Sequence, residues 1–171
     1  MAMQYDVKQA HLNSSGFFVK YPVRVKAVAF VGDGASDATL ILFDTLSTPV
    51  SAGVTATRSG TTVTVTKTAH GLSTGNIIGF HGIGGDPSAP TDGTYVITKT
   101  GADTFTFTDI NTGTISSSTA VYALGKWLAT YEADATDVFN NGSLFPGEGI
   151  RAETAVYGYL SVMHSATIYY G

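Results

Sequence analysis

Val23, Val25 and Ala27 alternate with Arg24 and Lys26, a period of two that predicts a half-buried β-strand. Ala38 to Phe43 is an apolar run that predicts a short strand buried on both faces. Gly32-Asp33-Gly34 between them reads as a hairpin turn, because glycine takes the positive φ of tight turns. Near Val54 the texture changes. From there to about Leu124 threonine is dense, as in Thr61-Thr62-Val63-Thr64-Val65-Thr66, and such stiff β-branched residues suit a pleated surface. Strands are expected at Asn76 to Phe80, Thr94 to Lys99 and Thr104 to Asp109. In the last, Phe105 and Phe107 share one face, and Thr104, Thr106 and Thr108 the other. Gly82 to Pro90 reads as a loop and Gly101-Ala102-Asp103 as a turn.

From Lys126 the first texture returns. Trp127 to Glu132 alternates, with Trp127, Ala129 and Tyr131 on one face. Asn140-Asn141-Gly142-Ser143 and Pro146-Gly147-Glu148-Gly149 are expected turns. Gly149 to Thr154, Val156 to Met163 and Ser165 to Tyr170 are expected strands, and Tyr131 to Phe139 carries a weak helical pattern. The fold class is therefore all-β: a β-sandwich or jelly-roll-like body with a small inserted β-barrel-like or β-sandwich module. Residues 1–53 plus 125–171 form the discontinuous body, and 54–124 the insert. Insertion is best tolerated at exposed loops that few contacts cross. The competing architecture is one continuous barrel.

Composition narrows the function. Charged residues make up 13% of the 171, against roughly 25% in an average soluble domain. Low charge with ordinary hydrophobicity predicts a surface partly covered by other proteins or by sister copies. The net charge is −4 and the basic residues are scattered, so nucleic acid is not an expected partner. No cysteine is present, which removes disulfides, thiolate nucleophiles and Cys-ligated zinc. Met1 to Lys20 lacks the pattern of a signal peptide. The apolar runs Val28 to Val31 and Leu40 to Phe43 fall far short of the ~20 residues of a membrane-spanning helix, so no membrane partner is expected.

Candidate chemistry is sparse. Gly71-Leu72-Ser73-Thr74-Gly75 matches G-x-S-x-G, but a nucleophile elbow needs a helix after the serine, and Asn76 to Phe80 reads as a strand. His11, His70, His81 and His164 lack the short spacings of a zinc site, although His70, His81 and Asp86 could meet across a hairpin. His70 is expected to hydrogen-bond a turn carbonyl instead. Glu132 with Asp134 or Asp137 could supply a carboxylate pair, and a solvated strand edge explains them as well. Asp33, Asp37 and Asp44 lie in turns and at strand ends without the spacing of a calcium loop. No catalytic, metal or cofactor residue is assigned, and no cofactor is expected. Tyr157 and Tyr159 share one strand face, with Val156, Leu160 and Val162 on the other, and the tyrosine face either meets a partner or fills the core.

Thr62-Val63-Thr64-Val65, Ala69-His70-Gly71-Leu72-Ser73-Thr74-Gly75-Asn76, Gly93-Thr94-Tyr95-Val96-Ile97 and Asp103-Thr104-Phe105-Thr106-Phe107 together resemble a small β-module of tailed-phage structural and tail proteins. The body resembles short virion structural proteins of phages of aquatic bacteria. The residues concerned are Tyr5-Asp6-Val7-Lys8, Asn13-Ser14-Ser15-Gly16, Arg24-Val25-Lys26, Phe145-Pro146-Gly147-Glu148-Gly149-Ile150-Arg151 and Ile168-Tyr169-Tyr170-Gly171. The resemblance implies a non-enzymatic virion protein, assembled in the host cytoplasm and exposed on the particle. It implies capsid decoration or cementing, with a tail, fibre or baseplate part or a glycan-binding module as alternatives. Implied partners are the chain itself, as a homotrimer, the major capsid protein or other virion proteins, and a host-surface glycan. Candidate interface residues are Phe17, Phe18, Trp127, Tyr131, Tyr157, Tyr159, Tyr169 and Tyr170. Met1 to Lys20 is expected to be an arm docking on a neighbour.

Overall fold

A computed structural model describes residues 7–34, 36–83, 88–135 and 140–171. The strands are β1 (Lys8–Leu12), β2 (Gly16–Val19), β3 (Val23–Gly32), β4 (Ala38–Asp44), β5 (Thr55–Thr66), β6 (Ile77–Ile83), β7 (Gly93–Val96) and β8 (Thr98–Lys99). They continue with β9 (Thr104–Leu124), β10 (Lys126–Ala133), β11 (Asn140–Leu144), β12 (Ile150–Ala152), β13 (Val156–Ser161) and β14 (Met163–Tyr170). No helix occurs among the described residues. The chain divides into two compact units, 1–46 with 128–171, and 47–127.

The first unit is a sandwich of two antiparallel sheets. One runs β1-β14-β3-β11, with β12 also on β3, and the other β10-β4-β13-β2. Chain order β1 to β4 alternates between the sheets, β10 stays with β4, and β11 to β14 alternate again. This is the double Greek-key wiring of an eight-stranded jelly roll, with β11 and β12 sharing one strand position. Val25, Val28, Phe30, Leu40, Leu42, Val156 and Ile168 fill the space between the sheets. The period-two residues Val23 and Val25 point inward as expected, since strand side chains alternate between faces. At Gly158 a Cβ would come within 2.5 Å of the Phe18 ring, so the absent side chain gives Phe18 its place in the core.

The second unit is one five-stranded sheet, β5-β9-β6-β7, with β8 also on β9. Its pairings close a ring. β6 bonds β9 near Ala120 to Leu124 and β7 on its other side; β7 runs through Ile97 into β8, and β8 returns to β9 at Phe105 and Thr106. Closure of this kind suits a small barrel whose interior is filled by side chains. Val63, Val65, Ile78, Phe80, Ile97, Phe105, Phe107 and Tyr122 provide that filling. Phe80 and Phe107 meet edge to face at 4.9 Å, and Tyr95 stacks on Phe107 at 4.2 Å.

Several expectations change. Gly32 to Gly34 is not a hairpin, because β3 and β4 belong to different sheets. Asp33 Oδ1 accepts the Ser36 N–H at 3.0 Å, and this side-chain turn carries the chain across. Asn140 to Ser143 belongs to a strand. It pairs with β3, and the register shift between Asn140 and Ser143 falls where Asn141-Gly142 would otherwise read as a turn. Val156 to Met163 is broken at Val162, whose φ is 53°, where the chain passes from one sheet to the other. Thr94 to Lys99 breaks at the buried Ile97. Tyr131 to Ala133 is strand, while 136–139 lie outside the described residues. The expected boundaries at 53/54 and 124/125 fall inside the second unit, because Val50 and Tyr122 exchange two backbone hydrogen bonds of 2.7 and 3.1 Å.

The N-terminal arm also needs correction from Lys8 onward; residues 1–6 lie outside those described. β1 pairs with β14 over five residues, and β2 pairs with β13, so both are strands of the chain's own sandwich. Truncating residues 1–15 therefore removes a sheet strand.

Asp44, the last residue of β4, is buried and fastens the β12–β13 turn. It accepts backbone N–H bonds from Glu153 (2.7 Å), Thr154 (2.9 Å) and Ala155 (3.1 Å), and one from the Thr154 hydroxyl. Burial alone would raise its pKa. The Thr154 hydroxyl and the three N–H groups outweigh burial and hold the carboxyl below its usual value. A carboxyl depressed in the folded state adds stability above its unfolded pKa, near 3.9, and loses that contribution as pH falls through its lower native value.

Two outcomes are expected. Asp44→Asn, which turns amide hydrogens toward N–H donors, lowers stability at pH 7 by about 2–3 kcal/mol and flattens the acid limb below about pH 4. Urea melts from pH 2.5 to 7 check both. Separately, fragment 47–127 gives a dispersed amide spectrum with a stability of about 3–5 kcal/mol, whereas 54–124, lacking Val50, melts earlier.

Candidate functional site

The G-x-S-x-G segment is a turn held by its own side chains. Gly71 and Gly75 have φ of 69° and 89°, the left-handed region that glycine enters freely. The Ser73 N–H donates to Asn76 Oδ1 at 2.9 Å and the Asn76 N–H to Ser73 O at 3.0 Å. The Lys99 N–H donates to Thr74 Oγ1 at 2.9 Å. Strand β6 follows, so no helix N-terminus stands beside Ser73. The Leu72 N–H donates to His70 Nδ1 at 3.0 Å, which makes Nδ1 an acceptor and places the ring proton on Nε2, facing Gly101 O at 3.2 Å. His70 thus does bond a turn carbonyl, and its ring meets Phe105 edge-on at 5.2 Å.

The other histidines stand apart. His11 lies between Thr167 Oγ1 (2.8 Å) and Asn13 Oδ1 (2.7 Å), and His164 is exposed. Buried His81 meets Asp92 Oδ2 through Nδ1 at 2.7 Å, and the other Asp92 oxygen accepts the Gly82 N–H at 3.3 Å. Asp86 lies outside the described residues, as does Asp137. Among the described residues no three His, Asp or Glu side chains gather as metal ligands. Glu132 and Asp134 are exposed.

The polar cluster that sequence reading missed is built on Arg58 and Asp109, whose side chains are 1% and 0% exposed. Arg58 donates from Nε to Gly60 O (3.1 Å) and from Nη1 to Ser88 O (3.1 Å) and Ala89 O (3.0 Å). Its Nη2 is 3.5 Å from Asp109 Oδ2 and has no hydrogen-bond partner among the described residues. Asp109 accepts N–H bonds from Thr91 (2.8 Å) and Asn111 (3.2 Å). The Tyr95 hydroxyl donates to Thr91 O at 2.7 Å; burial and then the charges of Asp109 and Asp92 push its pKa upward. The cluster pins residues 88–91 to the barrel. Strand parity carried the signal: Asp109 continues the inward series Phe105, Phe107, and Arg58 follows buried Ala56.

The eight candidate interface residues divide. Phe18, Tyr157 and Tyr170 are buried and belong to the protein's interior, which corrects their assignment to a contact surface. Tyr157 and Tyr159 do share a face of β13. They lie opposite Phe43 and Ile41, both fully buried, so that face is closed at Tyr157 and half-closed at Tyr159. Phe17 packs edge-on against Tyr157 at 4.8 Å, with Lys20 Nζ 4.6 Å above its ring. Tyr131 sits between Phe30 and Phe145, where burial pushes its pKa up to about 12. Its hydroxyl has no partner among the described residues. Trp127 and Tyr169 are half-buried. Among the described residues the most exposed large apolar side chains are instead Leu144 (82% exposed) and Ile110 (80%).

Arg58→Met is expected to cost about 3 kcal/mol, because it strands Asp109 without its counter-charge in the interior. Asp109→Asn should cost less, since the amide oxygen still accepts an N–H. Denaturant titration of both variants checks the order. Comparison with family models, with curated proteins and with solved structures finds no match to this chain.

Proposed function

We propose that this chain is a non-enzymatic structural protein of a tailed-phage virion, a capsid decoration or cement protein that acts by binding alone. The observation that carries the reading is the jelly-roll wiring of the body, an architecture shared by viral shell proteins, lectins and cupins. Fold by itself does not fix function. The choice among these rests on the low charge of the chain and on the sequence resemblance. Ser73 in a closed turn and the scattered histidines give no support to hydrolysis. Each copy would bury surface against the shell and against sister copies in a closed homotrimer, with contacts of roughly 1,000–2,000 Å². Leu144, on the sheet-edge strand β11, offers an exposed apolar contact point in the body.

The test is a density map of purified particles with the copies counted. Hundreds of copies on the shell are expected. Copies in threes, sixes or twelves at one vertex would make the chain a tail or neck part, and its absence from particles would end the reading. In addition, Leu144→Glu is expected to reduce particle occupancy without shifting the thermal midpoint of the free chain by more than about 2 °C.

A further inference from the structure

Two concavities of about 310 and 250 Å³ lie in the sandwich unit and share Pro22, Val23 and Gly171. Lys8, Tyr21 and Tyr170 complete the first; Arg24, Arg151 and Ala152 complete the second. The groove exists because β3 is paired on both sides at its start. Gly171 and Arg24 exchange backbone hydrogen bonds of 3.0 and 3.1 Å, and β12 sets Arg151 directly opposite Arg24. Like charges directly opposite on neighbouring strands repel and destabilise the pair. Glu148 holds Arg24 at 2.9 Å, an exposed bridge that leaves Arg151 uncompensated. Among the described residues neither Lys8 nor Arg151 has an ion-pair partner. Three of the nine basic residues of an acidic chain thus line one groove. Among the described residues the one salt bridge to these three cations is that of Glu148 with Arg24, while the chain as a whole is at −4.

The same groove carries an aromatic platform. Tyr21 is 48% exposed, and its hydroxyl is held 3.1 Å from that of Tyr170, which fixes the ring at the rim. Pro22 adds a second flat apolar surface beside it. A half-exposed aromatic ring with a polar tip suits a ligand with both a C–H face and hydroxyls. The volumes fall at or below the low end of ligand pockets, about 300–1,000 Å³.

We propose that this groove binds an acidic saccharide, with a pyranose ring laid on Tyr21 and Pro22, a carboxylate directed to Arg151 on the outward face, and Lys8, on the Tyr21 side, placed to meet a second acidic ring. A carboxylated sugar answers both features at once: the ring covers the platform and the carboxylate relieves the Arg24–Arg151 repulsion. An acidic peptide would satisfy the cations but has no rigid C–H face for Tyr21. The site is a property of the free chain and does not depend on where in a particle the chain sits.

The test titrates the full chain with tetragalacturonate, maltotetraose and a tetraglutamate peptide, followed by amide NMR and calorimetry. Tetragalacturonate is expected to bind with a Kd of about 1 mM or tighter, to shift residues 21–24 and 151–152, and to weaken with added salt. Maltotetraose should bind at least about tenfold more weakly. Arg151→Gln and Tyr21→Ala should each weaken tetragalacturonate about five- to tenfold, while Tyr21→Phe, which keeps the ring, should retain binding. Circular dichroism confirms that each variant is folded. No binding of tetragalacturonate overturns the proposal, as does equal binding of tetraglutamate, which would mark a site that reads charge alone. Unchanged affinity in Tyr21→Ala overturns it too, since the platform would then be idle.

Discussion

The sandwich depends on one buried carboxylate. Asp44 ends β4 and collects three successive N–H groups and a hydroxyl from the turn at 153–155. The donors lie in the turn between β12 and β13, and leaving the buried Ala155 N–H unpaired would cost about 1–3 kcal/mol. Satisfying them fixes where β13 begins. Once Val156 is placed, Tyr157 falls opposite Phe43 and Leu160 opposite Leu40, and the register of the central pair of this sheet is set. A slip of one residue would turn Leu160 out of the core and Tyr159 into it, so the carboxylate and the apolar pattern enforce the same pairing.

Much of this was legible locally. Alternation marked Val23 and Val25 as inward, the run Ala38 to Phe43 as buried on both faces, and Phe105 and Phe107 as one face of a strand. The change of texture near Val54 marked a separate unit, although its edges reach out to Ser47 and Trp127. What local pattern could not provide was the partner of each strand. Asn140-Asn141-Gly142-Ser143 has turn composition, and only the presence of β3 beside it makes it a bulged strand. The second half of β9 was missed for the same reason. Beyond Asp109 the local pattern carries no strand signal, and it is pairing with β5 at Gly113 to Ile115 and at Ser118 and Thr119, across two register shifts, that extends the strand. Arg58 and Asp109 sat on inward positions in plain alternation, yet charge argued against burial there until the backbone acceptors at 60, 88 and 89 were in place.

The aromatic residues show where composition misleads. Tyrosine is enriched at interfaces, and the C-terminal tyrosines suggested one. Tyrosine also fills cores when its hydroxyl finds a partner at the margin, as Tyr170 does with Tyr21. The low charge of the chain has a similar double origin. Sheet β10-β4-β13-β2 buries Leu40 and Leu42 on one face and Ile41 and Phe43 on the other. A strand closed on both faces has little room for charge, so part of the deficit is internal and needs no partner. The part that does bear on partners is narrower: single exposed apolar side chains such as Leu144, and one groove where cations collect.

That groove sits where it does for a topological reason. In a jelly roll the strand ends converge at the open ends of the sandwich, and there the inward alternation stops for lack of a facing sheet. Tyr21 and Pro22 follow β2 and precede β3 at such an end, so their apolar surface lies partly outside the core. Lys8, opposite Tyr170 in register, would be an inward position in mid-strand; at the end of β1 its ammonium reaches water along the rim. Arg24 and Arg151 stand on the outward face one step further in. Cations that strand pairing forces together, next to a ring the core does not cover, leave both a charge and an apolar surface unanswered within the unit. A ligand that joins the two in one rigid body complements the groove better than either a simple anion or a neutral sugar.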